Sequence, residues 1–128
     1  MSLKLLIVDD ELDALEGVRF FFESRGVEVL TAQGGLEALA LVKACHPQVI
    51  MLDIKMKGMS GIEILQKAKE LDPSVAVVMI TGLSEDGLEE ACQSLGATAF
   101  LEKPVRVEQL EQVIHTLNAN PSLKSSGR

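Results

Sequence analysis

Carboxylates, a threonine and a lysine follow four of the apolar runs in this sequence. They are Asp9 and Asp10 after residues 3–8, Asp53 at the end of 48–53, Thr81 after 75–80 and Lys103 after 97–102. Each has an ordinary explanation by itself, because aspartate caps helices, threonine favours strands and lysine is usually solvated. If the runs are parallel strands, however, their carboxyl ends share one edge of a sheet, where ligands bind. The set therefore predicts a polar site at that edge.

The three aspartates at this edge predict a bound cation. Asp9, Asp10 and Asp53 would repel one another unless a cation or protons intervened. Oxygen ligands without a nearby His or Cys favour Mg²⁺, which keeps several waters and often completes its shell with phosphate oxygen. The formal charges of the three carboxylates, one Mg²⁺ and the Lys103 ammonium sum to zero. Such a site can receive a phosphoryl group.

Asp53 is the candidate nucleophile. Aspartate has a reference pKa of about 3.9, so it is ionised near neutral pH and needs no general base to attack phosphorus. Mg²⁺ and Lys103 would neutralise the phosphoryl oxygens, and the Thr81 hydroxyl would donate another hydrogen bond. Gly82 would leave space beside the site for the incoming group.

Five short apolar or β-rich runs must position these side chains. The runs are residues 3–8, 27–32, 48–53, 75–80 and 97–102. Continuously apolar runs suit central strands of a parallel sheet that is covered on both faces. The segments between them have helical periodicity, with stripes at Leu12, Leu15, Val18 and Phe22, at Leu88, Ala91, Cys92 and Leu95, and at Val107, Leu110, Ile114 and Leu117. Strict alternation of strand and helix predicts a doubly wound α/β sandwich with right-handed crossovers.

Turn and capping residues agree with these boundaries. Ser60 and Glu63 form a capping-box pattern that opens a helix, and Gly26 and Gly96 lie where helices should stop. The apolar period ends near residue 118, so we expect one domain over 1–118 and a polar tail or linker over 119–128.

Composition excludes several classes of function. The 128 residues suit one domain, and a net charge of −7 with scattered lysines argues against binding of nucleic acid. No apolar run approaches the length of a membrane span, and no leader pattern is present, so a soluble, cytoplasmic protein without membrane contact is expected. Cys45 and Cys92 are expected to be reduced and to face the core.

Four short motifs resemble the receiver domain of bacterial response regulators. They are "IVDDE" at 7–11, "MLDIKM" at 51–56, "ITG" at 80–82 and "EKP" at 102–104, in this order and with a strand–helix unit between successive motifs. The resemblance spans about residues 3 to 118. It implies a flavodoxin-like sheet of strand order 2-1-3-4-5, with helices on both faces.

The resemblance also implies a function and a set of site residues. Asp53 would accept a phosphoryl group from a sensor histidine kinase or phosphotransfer protein, and the domain would catalyse only its own phosphorylation and dephosphorylation. The implied Mg²⁺ ligands are Asp10, Asp53 and the Lys55 backbone carbonyl, with Asp9 acting through water. Thr81 and Lys103 would hold the phosphoryl oxygens. The signal would pass to an output domain or a downstream protein, and a dimer that forms on phosphorylation is compatible with this reading.

A conformational switch is part of what the resemblance implies. Thr81 would move toward the phosphoryl group, Phe100 would turn inward, and the helix over 84–95 would move with the fifth strand and fifth helix. Without the resemblance, Phe100 would be read as a core residue. The Lys103–Pro104 peptide is expected to be cis.

The sequence departs from the receiver pattern at Lys57, where members commonly have proline, so the loop after Asp53 should be less rigid. Lys55 and Leu83, each two residues beyond a site residue, should lie over the phosphorylated carboxylate and slow its hydrolysis. Alternatively, the side chains of Lys55 and Leu83 extend into solvent and do not affect hydrolysis.

Three other functions fit the sequence less well. A phosphohydrolase with an aspartyl-phosphate intermediate would need an acid two residues after its nucleophile, where this chain has Lys55. A flavin or nucleotide binder would need Gly, Ser or Thr donors in place of "DDELD" at 9–13. A degenerate receiver that only docks would lack Asp10, Asp53 or Lys103.

Overall fold

The computed structural model describes residues 3–82 and 85–119. Its strands are β1 (Lys4–Val8), β2 (Glu28–Ala32), β3 (Val49–Asp53), β4 (Ala76–Thr81) and β5 (Ala99–Glu102). Its helices are α1 (Leu12–Glu23), α2 (Gly35–Cys45), α3 (Gly61–Leu71), α4 (Leu88–Ser94) and α5 (Val107–Ala119). The strands pair in parallel in the order β2-β1-β3-β4-β5, which confirms the expected fold class and strand order.

The sheet separates the apolar core into two layers. Alternate residues of each strand face opposite sides, as the period of two requires. One layer contains Leu6, Ile50 and Met79 with residues of α2, α3 and α4, and we call it the α3 layer. The other contains Leu5, Met51 and Val78 with residues of α1 and α5, and we call it the α5 layer. Strands that are buried on both faces therefore carry the polar site at their carboxyl ends.

Two positions of the expected helical stripes are exposed rather than buried. Leu12 is 56% exposed, because it is the first residue of α1 and lies beside the carboxyl edge of the sheet. Ala91 is also exposed, whereas Cys92 next to it is fully buried. Cys45 is half-buried, so only Cys92 of the two cysteines is fully in the core.

The fourth helix is shorter than its sequence pattern indicates. It begins at Leu88 after Gly87, whose φ of 84° is in the left-handed region, and it ends at Ser94. The expectation of a helix from residue 84 is therefore wrong over Glu85–Gly87, since glycine in this conformation interrupts the helix. Residue 84 lies outside the described residues.

Other boundary signals are confirmed. The Ser60 hydroxyl accepts a hydrogen bond from the Glu63 amide at 3.3 Å and caps α3. Gly26 and Gly96 adopt φ values of 83° and 103° just beyond α1 and α4. The helix α5 extends to Ala119, and residues 120–128 of the expected tail lie outside the described residues. Among the described helices, none has the length and apolar character of a membrane span.

Candidate functional site

Strand register brings the candidate residues together at one edge of the sheet. Val8 lies beside Leu52, so Asp9 and Asp53 follow at the same level on neighbouring strands. Thr81 comes one residue beyond the partner of Asp53, and Lys103 comes one residue beyond the partner of Thr81. From β3 to β5, each site residue therefore lies one position further along its strand than the one before. Lys103, on the β5 side, needs a long side chain to reach Asp53.

Lys103 does reach Asp53. Its Nζ atom lies 2.9 Å from Asp53 Oδ2, and the Asp53 side chain is only 8% exposed, against 41% for Lys103. The Lys103 amide donates to the Thr81 carbonyl at 2.8 Å, which fixes the start of the lysine side chain at the end of β4. Thr81 is itself fully buried. The expected cis peptide between Lys103 and Pro104 is confirmed.

Backbone amides hold the three aspartates. The Lys55 amide donates to Asp53 Oδ1 at 3.3 Å, and the Lys57 amide donates to Asp10 Oδ2 at 3.0 Å. The Glu11 amide donates to Asp9 Oδ1 at 3.0 Å. Each carboxylate therefore has a backbone donor that helps to orient it.

Burial and neighbouring charges shift the pKa values of Asp9 and Lys103. Burial raises the pKa of Asp9, the hydrogen bond from the Glu11 amide opposes that rise, and the negative charge of Asp53 adds to it. At Lys103, burial acts to lower the pKa, but the hydrogen bond to Asp53 and the charges of Asp53 and Asp9 outweigh it, so the pKa is raised. The raised pKa of Lys103 indicates negative charge around its ammonium group, whereas the raised pKa of Asp9 comes mainly from burial.

Two glycines shape the space around Asp53. A Cβ atom on Gly61 would lie 2.5 Å from the Asp53 carbonyl oxygen and 2.6 Å from Ile54 Cα, so only glycine lets α3 begin this close to the end of β3. A Cβ atom on Gly82 would meet only Lys103 Cδ, at 3.9 Å. The space next to Gly82 is therefore open toward the site.

Two cavities adjoin Asp53. An open one of about 320 Å³ is lined by Asp10, Glu11, Asp53, Lys55, Gly82 and Lys103. A more apolar one of about 210 Å³ lies on the α1 and α5 side, where Asp9, Asp53 and Lys103 join residues such as Val18, Val105 and Leu110. Asp10 and Asp9 thus face different cavities, and Asp53 borders both.

The open cavity has the donor chemistry that Mg²⁺ prefers. Among the described residues, no group of three or more His, Cys, Asp or Glu side chains is arranged to hold a metal. The cavity does bring Asp10 and Asp53 together with Lys55, and two carboxylates suit an ion that keeps several waters. The residues fit Mg²⁺ with two carboxylates rather than a cluster of three, because Asp9 lines the other cavity.

The residues predicted to act in the switch and in hydrolysis lie around the edge of the site or outside the described residues. Phe100 is half-buried against the α3 layer, on the strand next to α4, which is compatible with both its switch reading and its core reading. Lys55 is exposed at the rim of the open cavity. Leu83 lies outside the described residues, so the hypothesis of slow hydrolysis stays a prediction.

Sequence reasoning missed the structural role of two residues at the site. Glu11 lines both cavities and orients Asp9 through its amide, although it was noted only as part of the acidic run. Lys57 enters the sequence analysis only as a departure from the receiver pattern; its side chain is exposed, but its amide donates to Asp10. The sequence does contain a signal for this contact: lysine at position 57 has a backbone N–H group, which proline would lack.

Comparisons with known proteins agree with this geometry. Residues 5–115 match the family described as response regulator receiver domain. The sporulation initiation phosphotransferase F of Bacillus subtilis is 32% identical over 114 residues, which cover 89% of this chain and 92% of that protein. A cyclic di-GMP phosphodiesterase of Thermotoga maritima is also 32% identical over 114 residues, but the match covers only 30% of its length.

Solved structures show the same likeness. A CheY-like response regulator receiver domain protein from Methanospirillum hungatei superimposes with a TM-score of 0.91 at 30% identity, over 95% of this chain and 98% of that one. The chain therefore spans nearly all of some relatives and less than a third of others.

Proposed function

The chain belongs to the response regulator receiver domain family, and on that premise we propose that Asp53 accepts a phosphoryl group in a Mg²⁺-dependent transfer. The donor is the phosphohistidine of a sensor histidine kinase or phosphotransfer protein. The phosphorylated domain then changes the surface formed by α4, β5 and α5 and signals to an output domain or a downstream protein.

One observation carries this proposal. Asp53, almost fully buried, is paired with Lys103 at 2.9 Å on the wall of a cavity that also contains Asp10. A carboxylate that accepts a phosphoryl group needs a cation beside it and space in front of it. Both are present here, and Gly82 keeps the approach open.

In the transfer, an Asp53 carboxylate oxygen forms a bond to phosphorus while the bond from phosphorus to the donor nitrogen breaks. The Lys103 ammonium, which pairs with Asp53 Oδ2, exchanges that oxygen for a phosphoryl oxygen. The Thr81 hydroxyl donates to a second phosphoryl oxygen. A Mg²⁺ ion held by Asp10, Asp53 and the Lys55 carbonyl, with Asp9 contributing through water, would supply further neutralisation of the phosphoryl charge.

The domain turns over no separate substrate. No acid occupies the second position after Asp53, where a phosphohydrolase of this chemistry would place one, because Lys55 is there. The lifetime of the phosphoryl group then depends on how Lys55 and its neighbours admit water.

Phosphorylation by acetyl phosphate tests this function. The parent protein, Asp53→Ala and Asp72→Asn are incubated with the donor and Mg²⁺, and intact mass is measured. Asp72 is a matched control because it lies at the end of α3, away from the carboxyl edge of the sheet. One phosphoryl adduct is expected on the parent and on Asp72→Asn, and none on Asp53→Ala or after chelation of Mg²⁺. An adduct on Asp53→Ala, or an equal yield with excess chelator, would reject the assignment.

A further inference from the structure

The loop between β3 and α3 contacts Asp10 through a backbone amide. The Lys57 N–H group donates to Asp10 Oδ2 at 3.0 Å, across 47 residues of sequence. The Lys57 side chain is exposed, so the contact depends on its backbone and not on its ammonium group.

The same loop holds Asp53 in the same way. The Lys55 amide donates to Asp53 Oδ1 at 3.3 Å, so two alternate amides of one loop bind two different carboxylates of the site. The loop is anchored at its far end, where the Gly61 amide donates to the Ile54 carbonyl at 2.8 Å. Asp10, on the segment after β1, is thereby tied to the loop that follows the phosphorylation site.

This contact requires a residue other than proline at position 57. Proline has no N–H group and could not make the bond. Lysine at position 57 supplies the N–H group that this contact needs.

We propose that the Lys57 amide positions Asp10 for Mg²⁺, an inference that rests on the proposed function. A carboxylate that binds Mg²⁺ through one oxygen leaves the other for a hydrogen bond, and such outer contacts orient metal ligands and support their affinity. Here the amide holds Oδ2 and fixes the rotation of the carboxylate before the ion arrives. The amide dipole also reduces the repulsion that Asp10 would feel beside Asp53.

Binding of Mg²⁺ to Lys57→Ala and Lys57→Pro tests the proposal. Both variants lose the ammonium group, but only proline also loses the N–H, so their difference reports on the hydrogen bond together with the restraint that proline puts on the loop. The chain has no Trp and no Tyr, so affinity is measured by calorimetry or by ¹⁵N NMR titration. Lys57→Pro should bind Mg²⁺ about tenfold more weakly than Lys57→Ala, the lower end of losses on removing an outer contact. Proline also fixes φ at position 57 and restricts the residue before it, so a measurement on a variant without proline is needed as well.

A second measurement does not depend on how proline is tolerated. In the metal-free protein, hydrogen exchange of the Lys57 amide should be slower in the parent than in Asp10→Ala, while exchange at amides in the middle of α3 stays the same. Equal Mg²⁺ affinity of the two Lys57 variants, or equal exchange of the amide in the parent and Asp10→Ala, would overturn the inference alone. A parent protein that binds no Mg²⁺ would overturn the metal dependence of the proposed function as well.

Discussion

Asp9 is a residue at which burial and a neighbouring charge act together on stability. Its pKa is raised, first by burial and then by Asp53, so folding disfavours its ionised form. Asp9→Asn removes the charge and keeps an oxygen that can accept the Glu11 amide. In metal-free protein at pH 7 we expect the free energy of unfolding to rise by on the order of 0.5 kcal/mol, the size of a partly exposed charge interaction.

The pH dependence of this gain follows from the direction of the shift. The penalty of ionised Asp9 is fully present above its raised folded pKa and is absent below the unfolded value of 3.8. The advantage of Asp9→Asn, measured by urea denaturation, should therefore shrink as the pH falls through this range. Asp13→Asn is the control, since Asp13 is an exposed acid in the first turn of the same helix. Parent and variant stabilities that stay equal from pH 7 downward would contradict the expectation.

The residues that do chemistry were accessible from the sequence, but their amide contacts were not. Asp53 and Lys103 follow apolar runs, and parallel strands bring such ends together whatever the loops do. The bonds from the Lys55 and Lys57 amides depend on the path of one irregular loop. The periodicity of the sequence does not predict the backbone path of this loop. The sequence analysis gives Asp9 and Asp10 different roles, but it does not predict that they line different cavities.

Among the elements, the start of α3 is fixed by two residues with different roles. Ser60 caps the helix, whereas Gly61 lets its first turn touch the backbone of Asp53 and Ile54. Gly61→Ala should destabilise the fold by about 1–3 kcal/mol through overpacking and should also slow phosphorylation, because β3 must shift. Ser60→Ala should lower stability by about 1 kcal/mol and leave phosphorylation unchanged.

Denaturation and the rate of adduct formation, measured on both variants, distinguish these roles. If Gly61→Ala accepted the phosphoryl group at the parent rate, the contact with the Asp53 backbone would have no part in placing the carboxylate. A slow Ser60→Ala variant would mean that the cap, rather than the close approach, sets the position of β3.

The elements expected to respond to phosphorylation are α4 and β5. Phe100 is half-buried beside the α3 layer, and α4 has only 7 residues and begins after a left-handed glycine. A short helix with few buried residues opens locally at low free energy. Addition of beryllofluoride and Mg²⁺ should therefore change amide exchange in α4 and β5, by shifting a pre-existing equilibrium.

Asp53→Asn, treated in the same way, is the control for this experiment, because it lacks the carboxylate that would bind the phosphoryl mimic. If beryllofluoride leaves amide exchange in α4 and β5 of the parent unchanged, Asp53 is not coupled to the surface that these two elements form.

For the molecule as a whole, the resemblance to receiver domains predicted the order of the strands. The apolar runs and the helical stripes predicted that helices cover both faces of the sheet. Runs such as residues 75–80 are apolar at every position, which indicated a sheet covered on both faces. Element ends were less predictable, because residues such as Glu85 and Asp86 suit the first turn of a helix by type. The left-handed conformation of Gly87 interrupts that local preference, and the presence of glycine permits this conformation but does not require it.

The division of the core into the α3 layer and the α5 layer bears on how the sequence can evolve or be redesigned. The buried side chains of the two faces form separate clusters, so each layer should accept substitutions without compensation in the other. Ile64→Val in the α3 layer and Ile114→Val in the α5 layer should each lower stability by about 0.5–1.5 kcal/mol. In the double variant, urea denaturation should give the sum within about 0.5 kcal/mol. A larger coupling would mean that the sheet bends as one body, and that the helices on its two sides must be chosen together.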